Sequence, residues 1–108
     1  MAKWLFVVES NCADAAREAE FNHWYDKVHV PDVLEIPGFM SGTRYENTQP
    51  AEGRGKFLAI YEIESNDIAK TMKELEDRLI RWRAKGRFSD LFVRVYRGIY
   101  KQLSSLYK

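Results

Sequence analysis

Hydrophobic and polar residues alternate with two different periods along the chain, which predicts a mixture of strands and helices. Four segments are rich in aromatic and β-branched residues and are typical of strands: 3–9, 39–47, 56–64 and 91–103. Two segments have the helical period, namely residues 13–29 and a second helix that begins after Ser65 or Asn66. The second helix carries an apolar stripe formed by Ile68, Met72, Leu75, Leu79 and Trp82. The order β-α-β-β-α-β is that of the ferredoxin-like motif, so we predict an α+β fold with an antiparallel sheet.

Both faces of the predicted sheet are apolar, which has a consequence for assembly. In the first strand, Leu5 and Val7 point to one face while Phe6 and Val8 point to the other. Two helices can cover only one face of such a sheet, so the second face needs another cover. A second copy of the chain is the simplest supplier, and we predict a homodimer whose sheets face each other.

The segment 21–45 contains both histidines and a dense set of aromatic and acidic side chains. On a helix, Asp26 and His29 fall on one face, where a carboxylate can orient the imidazole and stabilise its charged form. Pro31 predicts that the helix ends near His29, and Pro31-Asp32 can open a single extra turn through Leu34. The helix dipole at His29 favours protonation while burial opposes it. These effects together predict a histidine that titrates near neutral pH, as acid–base catalysis requires.

Some of these residues also have simpler explanations. A histidine at a helix C-terminus can cap the last carbonyls without any catalytic role. His23 is six residues from His29, so the two do not form a helical metal pair, and we predict neither a metal nor another cofactor. Arg83 and Arg87 either belong to a solvated helix end or meet a ligand carboxylate.

Composition narrows the choice of partners. With 108 residues we expect one domain over 1–108. The net charge of +1 does not indicate a positively charged surface for binding nucleic acid or an anionic membrane. No apolar run approaches a membrane span of about 20 residues, the N-terminus lacks a signal-peptide pattern, and the single cysteine, Cys12, suits a reducing compartment. We therefore expect a cytoplasmic protein. Three Trp, six Tyr and six Phe suit a pocket for a flat apolar ligand.

The central segment resembles the EthD-like proteins of the dimeric α/β-barrel superfamily. It reads Phe21-Asn-x-Trp-Tyr-Asp-x-x-His29-x-Pro31-Asp32-Val-Leu-x-x-Pro37-Gly38-Phe and is followed by Arg44-Tyr45. The resemblance implies a ferredoxin-like fold, dimerisation through the sheets, and a cleft between each sheet and its helices. Such relatives include cofactor-free cyclases, isomerases, decarboxylases, dehydratases and monooxygenases that act on aromatic or quinone-like compounds, and others without a defined activity. The motif's histidine and aspartates fall on His29, Asp26 and Asp32.

Two functions are therefore expected. The first is a cofactor-independent lyase, isomerase, cyclase or monooxygenase that acts on a small aromatic or enolisable carbonyl compound in a catabolic or polyketide-like pathway. His29 would move the proton, Asp26 or Asp32 would orient it, and Tyr25 would assist. The second is a non-catalytic accessory protein that holds an apolar aromatic intermediate in the same pocket. The expected ligand-binding residues are Trp24, Arg44, Tyr45, Tyr61, Trp82, Phe92 and Tyr96.

Overall fold

The predicted element order is confirmed by the computed structural model, which describes all 108 residues. The strands and α-helices are β1 (Ala2–Cys12), α1 (Glu18–Trp24), α2 (Val30–Leu34), β2 (Phe39–Glu46), β3 (Phe57–Ser65), α3 (Ile68–Ala84) and β4 (Phe92–Lys101). A 3-10 turn (Ala15–Arg17) precedes α1, and a π-helical turn (Tyr25–His29) joins α1 to α2. Asp14 caps the 3-10 turn and Asp67 caps α3, each by accepting a hydrogen bond from a backbone N–H two or three residues later. None of the helices is both long enough and apolar enough to cross a membrane.

The four strands form one antiparallel sheet in the order β2-β3-β1-β4, which is ferredoxin-like. The helices cover one face of this sheet. Side chains of β1 and β3 that point towards the helices are buried, among them Phe6, Val8 and Tyr61. Met72 and Leu75 from α3 pack into the same core cluster. The helical stripe and the inward strand face predicted from the sequence therefore meet as expected.

The first helical region continues past His29 without a break. We expected the first helix to end near His29 because of Pro31, and the extra turn expected after Pro31 is present as α2, which ends at Leu34. The N–H of Val30 bonds to the carbonyl of Tyr25, five residues earlier, which is the pattern of a π turn. The wider turn lets Pro31 enter the first turn of α2, where no N–H is required of it.

A β-bulge interrupts the pairing of β1 with β4. Tyr96 pairs with Glu9 and Arg94 pairs with Ser10, so Val95 is an extra residue on β4. The extra residue reverses the alternation of side chains along the strand. Phe92 consequently packs against the core while Tyr96 points away from the helices.

The face of the sheet that lacks helices, called the open face below, retains apolar side chains. Leu5, Tyr45, Tyr96 and Tyr100 are between 38% and 52% exposed there. Val7 and Ile60 pair across β1 and β3 on the same face and are half-buried. The tail after β4 is also apolar and exposed, because Leu103, Leu106 and Tyr107 follow the last strand without a packing partner.

Candidate functional site

A cavity of about 430 Å³ lies between the helices and the covered face of the sheet. This volume falls within the range of small-molecule sites, roughly 300–1,000 Å³. Nine of its thirteen lining residues are hydrophobic and the other four are one histidine and three arginines. The lining residues are Phe6, Val8, Tyr25, His29, Val33, Tyr61, Leu75, Leu79, Arg83, Phe88, Phe92, Arg94 and Arg97.

His29 lies at this cavity inside an aromatic enclosure. Its ring stacks on Trp24, with centroids 4.8 Å apart and planes inclined by 18°. The edges of Tyr25, Trp82 and Phe88 meet it at centroid distances of 5.2, 5.9 and 5.4 Å. The side chain as a whole is buried. Its two ring nitrogens nevertheless do not belong to the polar atoms that are completely shielded and lack a hydrogen-bond partner. The imidazole is therefore held in place by ring contacts and can reach a ligand in the cavity.

Burial determines the charge of His29. The pKa of His29 is lowered from 6.5 to about 4, mainly by desolvation; the carboxylate of Asp32 opposes this shift, and the guanidinium groups of Arg44 and Arg83 add to it. The ring is therefore neutral at pH 7. The near-neutral titration expected from a position at a helix end is not found, because the helix continues past His29 and the aromatic rings exclude water from it.

Asp32 is held by a charged pair beneath this histidine. The Nε and Nη2 groups of Arg87 each donate to the Asp32 carboxylate at 2.9 Å. The backbone carbonyl of Arg87 in turn accepts a hydrogen bond from Trp24 Nε1 at 2.8 Å. Arg87 thus fixes both the ring that stacks on His29 and the carboxylate that acts on it electrostatically.

Asp26 does not pair with His29, which corrects the sequence-based prediction. Its carboxylate is about half exposed and accepts a hydrogen bond from Arg44 Nη1 at 2.9 Å. Residues three apart share a face of an α-helix, but the wider π turn rotates Asp26 away from His29. Arg44 also donates to Asn22 and lies 4.2 Å from the ring centroid of Tyr25, so it supports that ring from behind and does not line the cavity.

Two tyrosines supply the buried hydroxyl groups of the cavity. Tyr25 and Tyr61 are each only 1% exposed. Burial raises the pKa of Tyr25 to about 12 and raises the pKa of Tyr61 well above its usual value of 10. Both phenols are consequently protonated at neutral pH. Tyr61 Oη and the nearby Ser10 Oγ are buried without a hydrogen-bond partner, which is unusual for polar atoms in a protein interior.

Comparison with known proteins identifies the family to which the chain belongs. A family model described as "Domain of unknown function (DUF4286)" matches residues 3–102. The chain belongs to the DUF4286 family. This match does not test the narrower EthD-like resemblance, which stays a prediction. No curated protein sequence matches the chain.

Two solved structures are similar to this DUF4286 protein. HapK from Hahella chejuensis is 17% identical, with a TM-score of 0.73 over 97% of this chain and 97% of that chain. A "putative monooxygenase" from Shewanella loihica PV-4 is 13% identical, with a TM-score of 0.61 over 97% of this chain and 99% of that chain. At these identities the similarity establishes the ferredoxin-like fold alone.

The remaining predicted site residues of the DUF4286 protein divide into two groups. Tyr61 and Phe92 line the cavity as expected, and Trp24 and Trp82 contact His29 from outside it. Tyr45 and Tyr96, which were also expected to bind the ligand, lie on the open face and outside this cavity. Tyr45 is adjacent to Arg44 in a strand and so points the other way, and Tyr96 follows the bulge.

Several lining residues were missed by the sequence analysis. Phe88 lies in the connection between α3 and β4 and packs edge-on against Trp24 and Phe92. Nothing in the periodicity of that connection indicates which way its side chains point. Arg94 and Arg97 both face the helices although they are three apart, which only the bulge at Val95 permits. Arg83 does reach the cavity, but Arg87 is committed to Asp32.

Proposed function

We propose that this DUF4286 protein is a cofactor-independent enzyme that transfers a proton within a small aromatic or enolisable carbonyl compound. The supporting observation is the cavity itself, where an accessible neutral imidazole and two protonated phenols lie among apolar walls. A neutral imidazole can accept a proton, and a phenol can donate a hydrogen bond to an oxygen that becomes negatively charged.

In the proposed reaction, His29 removes an acidic C–H or O–H proton from the bound compound. The electron pair left behind moves onto the ligand oxygen, where the hydroxyl of Tyr25 stabilises it. Asp32 stabilises the imidazolium that forms, because its carboxylate already favours the protonated ring. His29 then returns the proton to another atom of the same compound, which completes an isomerisation. Asp26 takes no part, because it is bonded to Arg44.

The proposal is tested by hydrogen–deuterium exchange into candidate ligands. Exchange at the acidic position of β-diketones and of phenols, followed by NMR, reports proton removal even when the complete reaction is unknown. General base catalysis contributes about 10²–10⁴ in rate, so His29→Gln should reduce catalysed exchange by that factor. His23→Gln is the matched control, because His23 is exposed on the outer side of α1. Full exchange by the His29→Gln variant would refute the assignment.

A second reaction class to test, once proton transfer has been tested, is oxidation of the ligand by O₂ without a cofactor. The fold shared with the Shewanella loihica protein supports including it. Oxygen consumption during incubation with the same ligands would reveal such an activity.

A second function is favoured by one observation. A pKa of about 4 makes the resting imidazole a weak base, which also suits a protein that only holds an aromatic intermediate. Such an accessory protein would bind members of the ligand panel and would exchange none of their protons at any pH. An enzyme would bind and exchange the same compounds.

We also propose that the protein is a homodimer that joins its open faces. The supporting observation is the set of exposed apolar residues there, to which the exposed Leu103 and Leu106 of the tail add. Exposed apolar surface of this kind is characteristic of contact between subunits. A second copy brings an identical face, so Val7 and Ile60 would be covered by their own equivalents.

A further inference from the structure

The charges around the cavity are all of one sign. Three arginines line it and no carboxylate does. Arg97 Nη1 is neutralised from outside by Glu76 at 2.7 Å. Arg83 and Arg94 make neither an ion pair nor a side-chain hydrogen bond, in contrast to Arg78, which pairs with Glu74 on the same helix as Arg83. Two cations therefore remain uncompensated beside an apolar cavity.

These two cations lie on the solvent-exposed side of the cavity. Arg83 and Arg94 are exposed, whereas His29, Tyr25 and Tyr61 are buried, so the cavity has a cationic outer end and an inner end of neutral polar groups. The guanidinium of Arg83 lies 4.6 Å from the ring centroid of Phe88, another lining residue, which directs it along the wall. The orphaned hydroxyl of Tyr61 marks the opposite, inner end.

We infer that the ligand carries a carboxylate, which Arg83 and Arg94 bind at the outer end while its aromatic or carbonyl portion reaches Tyr25 and His29. This inference rests on the proposed function of the cavity and adds the charge of the ligand to it. Guanidinium groups match the planar geometry of a carboxylate and can bind it with two parallel hydrogen bonds. The ligand class is thus an aromatic or enolisable carbonyl compound bearing an acid group.

The arrangement also rejects ligands without an anion. A neutral compound that filled the cavity would leave these exposed guanidinium groups in water and gain nothing from them, so it would bind less tightly than a carboxylate. A cationic compound would add direct repulsion. The apolar wall therefore supplies affinity, and the pair of arginines decides which flat molecules are retained.

The inference is tested with 2-naphthoate and 2-naphthamide, which share a ring system and differ in charge. Affinities are measured by calorimetry and by quenching of tryptophan fluorescence, since Trp24 contacts the cavity wall through His29. We expect the wild type to bind the carboxylate about tenfold more tightly than the amide at low salt, equivalent to about 1.4 kcal/mol. The double variant Arg83→Gln/Arg94→Gln should lose this preference and keep its affinity for the amide.

Arg81→Gln provides the matched control for charge. Arg81 is on α3 as well, lies outside the cavity, and removing it changes the net charge by the same amount as either single variant. It should retain the tenfold preference. Equal affinity of the wild type for the two probes would overturn the inference, and so would an equal loss of preference in Arg81→Gln and Arg83→Gln.

Failure of the proposed function would look different. If the wild type prefers the carboxylate but no ligand exchanges protons, the anion site stands and the catalytic proposal fails. If β-diketones exchange protons normally but naphthoate and naphthamide bind equally, the catalytic proposal stands and the inference about charge fails. A His29→Gln variant that keeps the tenfold preference would support an anion site separate from the proton-transfer group.

Discussion

Trp24 and His29 stack nearly in parallel although they are five residues apart in one helical segment. In an α-helix, residues five apart point about 140° away from each other, because each residue advances the direction by about 100°. The i→i+5 bonding of the π turn brings them onto the same side instead. The turn that separates Asp26 from His29 therefore creates the aromatic stack that buries the imidazole.

The burial of His29 predicts a pH dependence of stability. Its pKa is about 4 in the folded protein and about 6.5 in the unfolded chain, so between these values the unfolded chain binds the proton more readily. The stabilisation is complete above pH 6.5 and is lost as the pH falls towards 4, at about 1.4 kcal/mol per pH unit and about 3 kcal/mol in all. Urea denaturation of the wild type and His29→Gln at several pH values measures it. Parallel curves for the two proteins would contradict the prediction.

The charged neighbours of His29 predict that its pKa can be adjusted from outside. Arg83 and Arg44 lower this pKa and Asp32 raises it. Arg83→Gln should therefore raise the pKa of His29, and saturation with naphthoate should raise it in the wild type by neutralising the same guanidinium. NMR titration of the imidazole signals measures both changes.

The control for this titration is Arg81→Gln, which removes an equal charge from α3 at a position outside the cavity. Its His29 signals should titrate as in the wild type. A pKa that is the same in Arg83→Gln as in the wild type would place Arg83 too far from the ring to act on it or on a shared ligand.

The unpartnered hydroxyl of Tyr61 predicts that stability can be raised without a loss of function. Because Tyr61 Oη is buried without a hydrogen bond, Tyr61→Phe removes an uncompensated polar group and should stabilise the fold by about 1 kcal/mol. The same change should leave proton exchange unchanged, because the shielded hydroxyl does not reach a ligand in the cavity. Thermal unfolding and the exchange assay measure the two effects. Destabilisation by Tyr61→Phe would indicate that the hydroxyl has a structural partner.

The contact between α2 and β2 predicts that Gly42 cannot be enlarged. A Cβ at this position would lie 2.8 Å from Val30 Cγ1 and 3.1 Å from the ring of Tyr61. Gly42→Ala should therefore push α2 away from the sheet and destabilise the protein by about 1–3 kcal/mol. Thr43→Ala, at an exposed neighbouring position, is the control and should change the denaturation midpoint little. Equal midpoints for the two variants would contradict the prediction.

The proposed dimer predicts a mass in solution of twice the chain mass of 12.7 kDa. Ile60→Glu places a charge in the middle of the open face and should produce monomers, because a buried unpaired charge is strongly unfavourable. Ile80→Glu makes the same chemical change on the exposed surface of α3 and should remain dimeric. Analytical ultracentrifugation distinguishes the two species. A wild-type monomer at micromolar concentration would remove the proposal.

Much of the fold followed from periodicity alone. The inward positions of β3 and the stripe of α3 were predicted correctly, because a residue such as Tyr61 or Leu75 has neighbours of the same kind two, three or four positions away. The residues that form the cavity wall could not be predicted in the same way, because they depend on local irregularities of the helix and the strand that do not appear in the periodicity. Asp26 was assigned to His29 on the assumption of an α-helical turn, and a single π turn invalidated that spacing.

The protonation state of His29 likewise could not be predicted from the sequence. Whether His29 titrates near neutrality or near pH 4 depends on Trp82 and Phe88, which approach it from a helix and a connection more than 50 residues away in the chain. Long-range contacts of this kind leave no trace in local patterns. The sequence did single out His29, which lines the cavity, because it lies in a segment that combines aromatic and acidic side chains.

The surplus residue at Val95 also matters for comparisons between homologues. One half of β4 contributes Phe92 and Arg94 to the ligand cavity, and the other half contributes Tyr96 and Tyr100 to the outer surface. If residue roles were transferred position by position from a relative whose strand is regular, the residues on one side of the bulge would be assigned to the wrong face of the sheet. Alignments of this strand therefore need a one-residue gap before any binding function is carried across it.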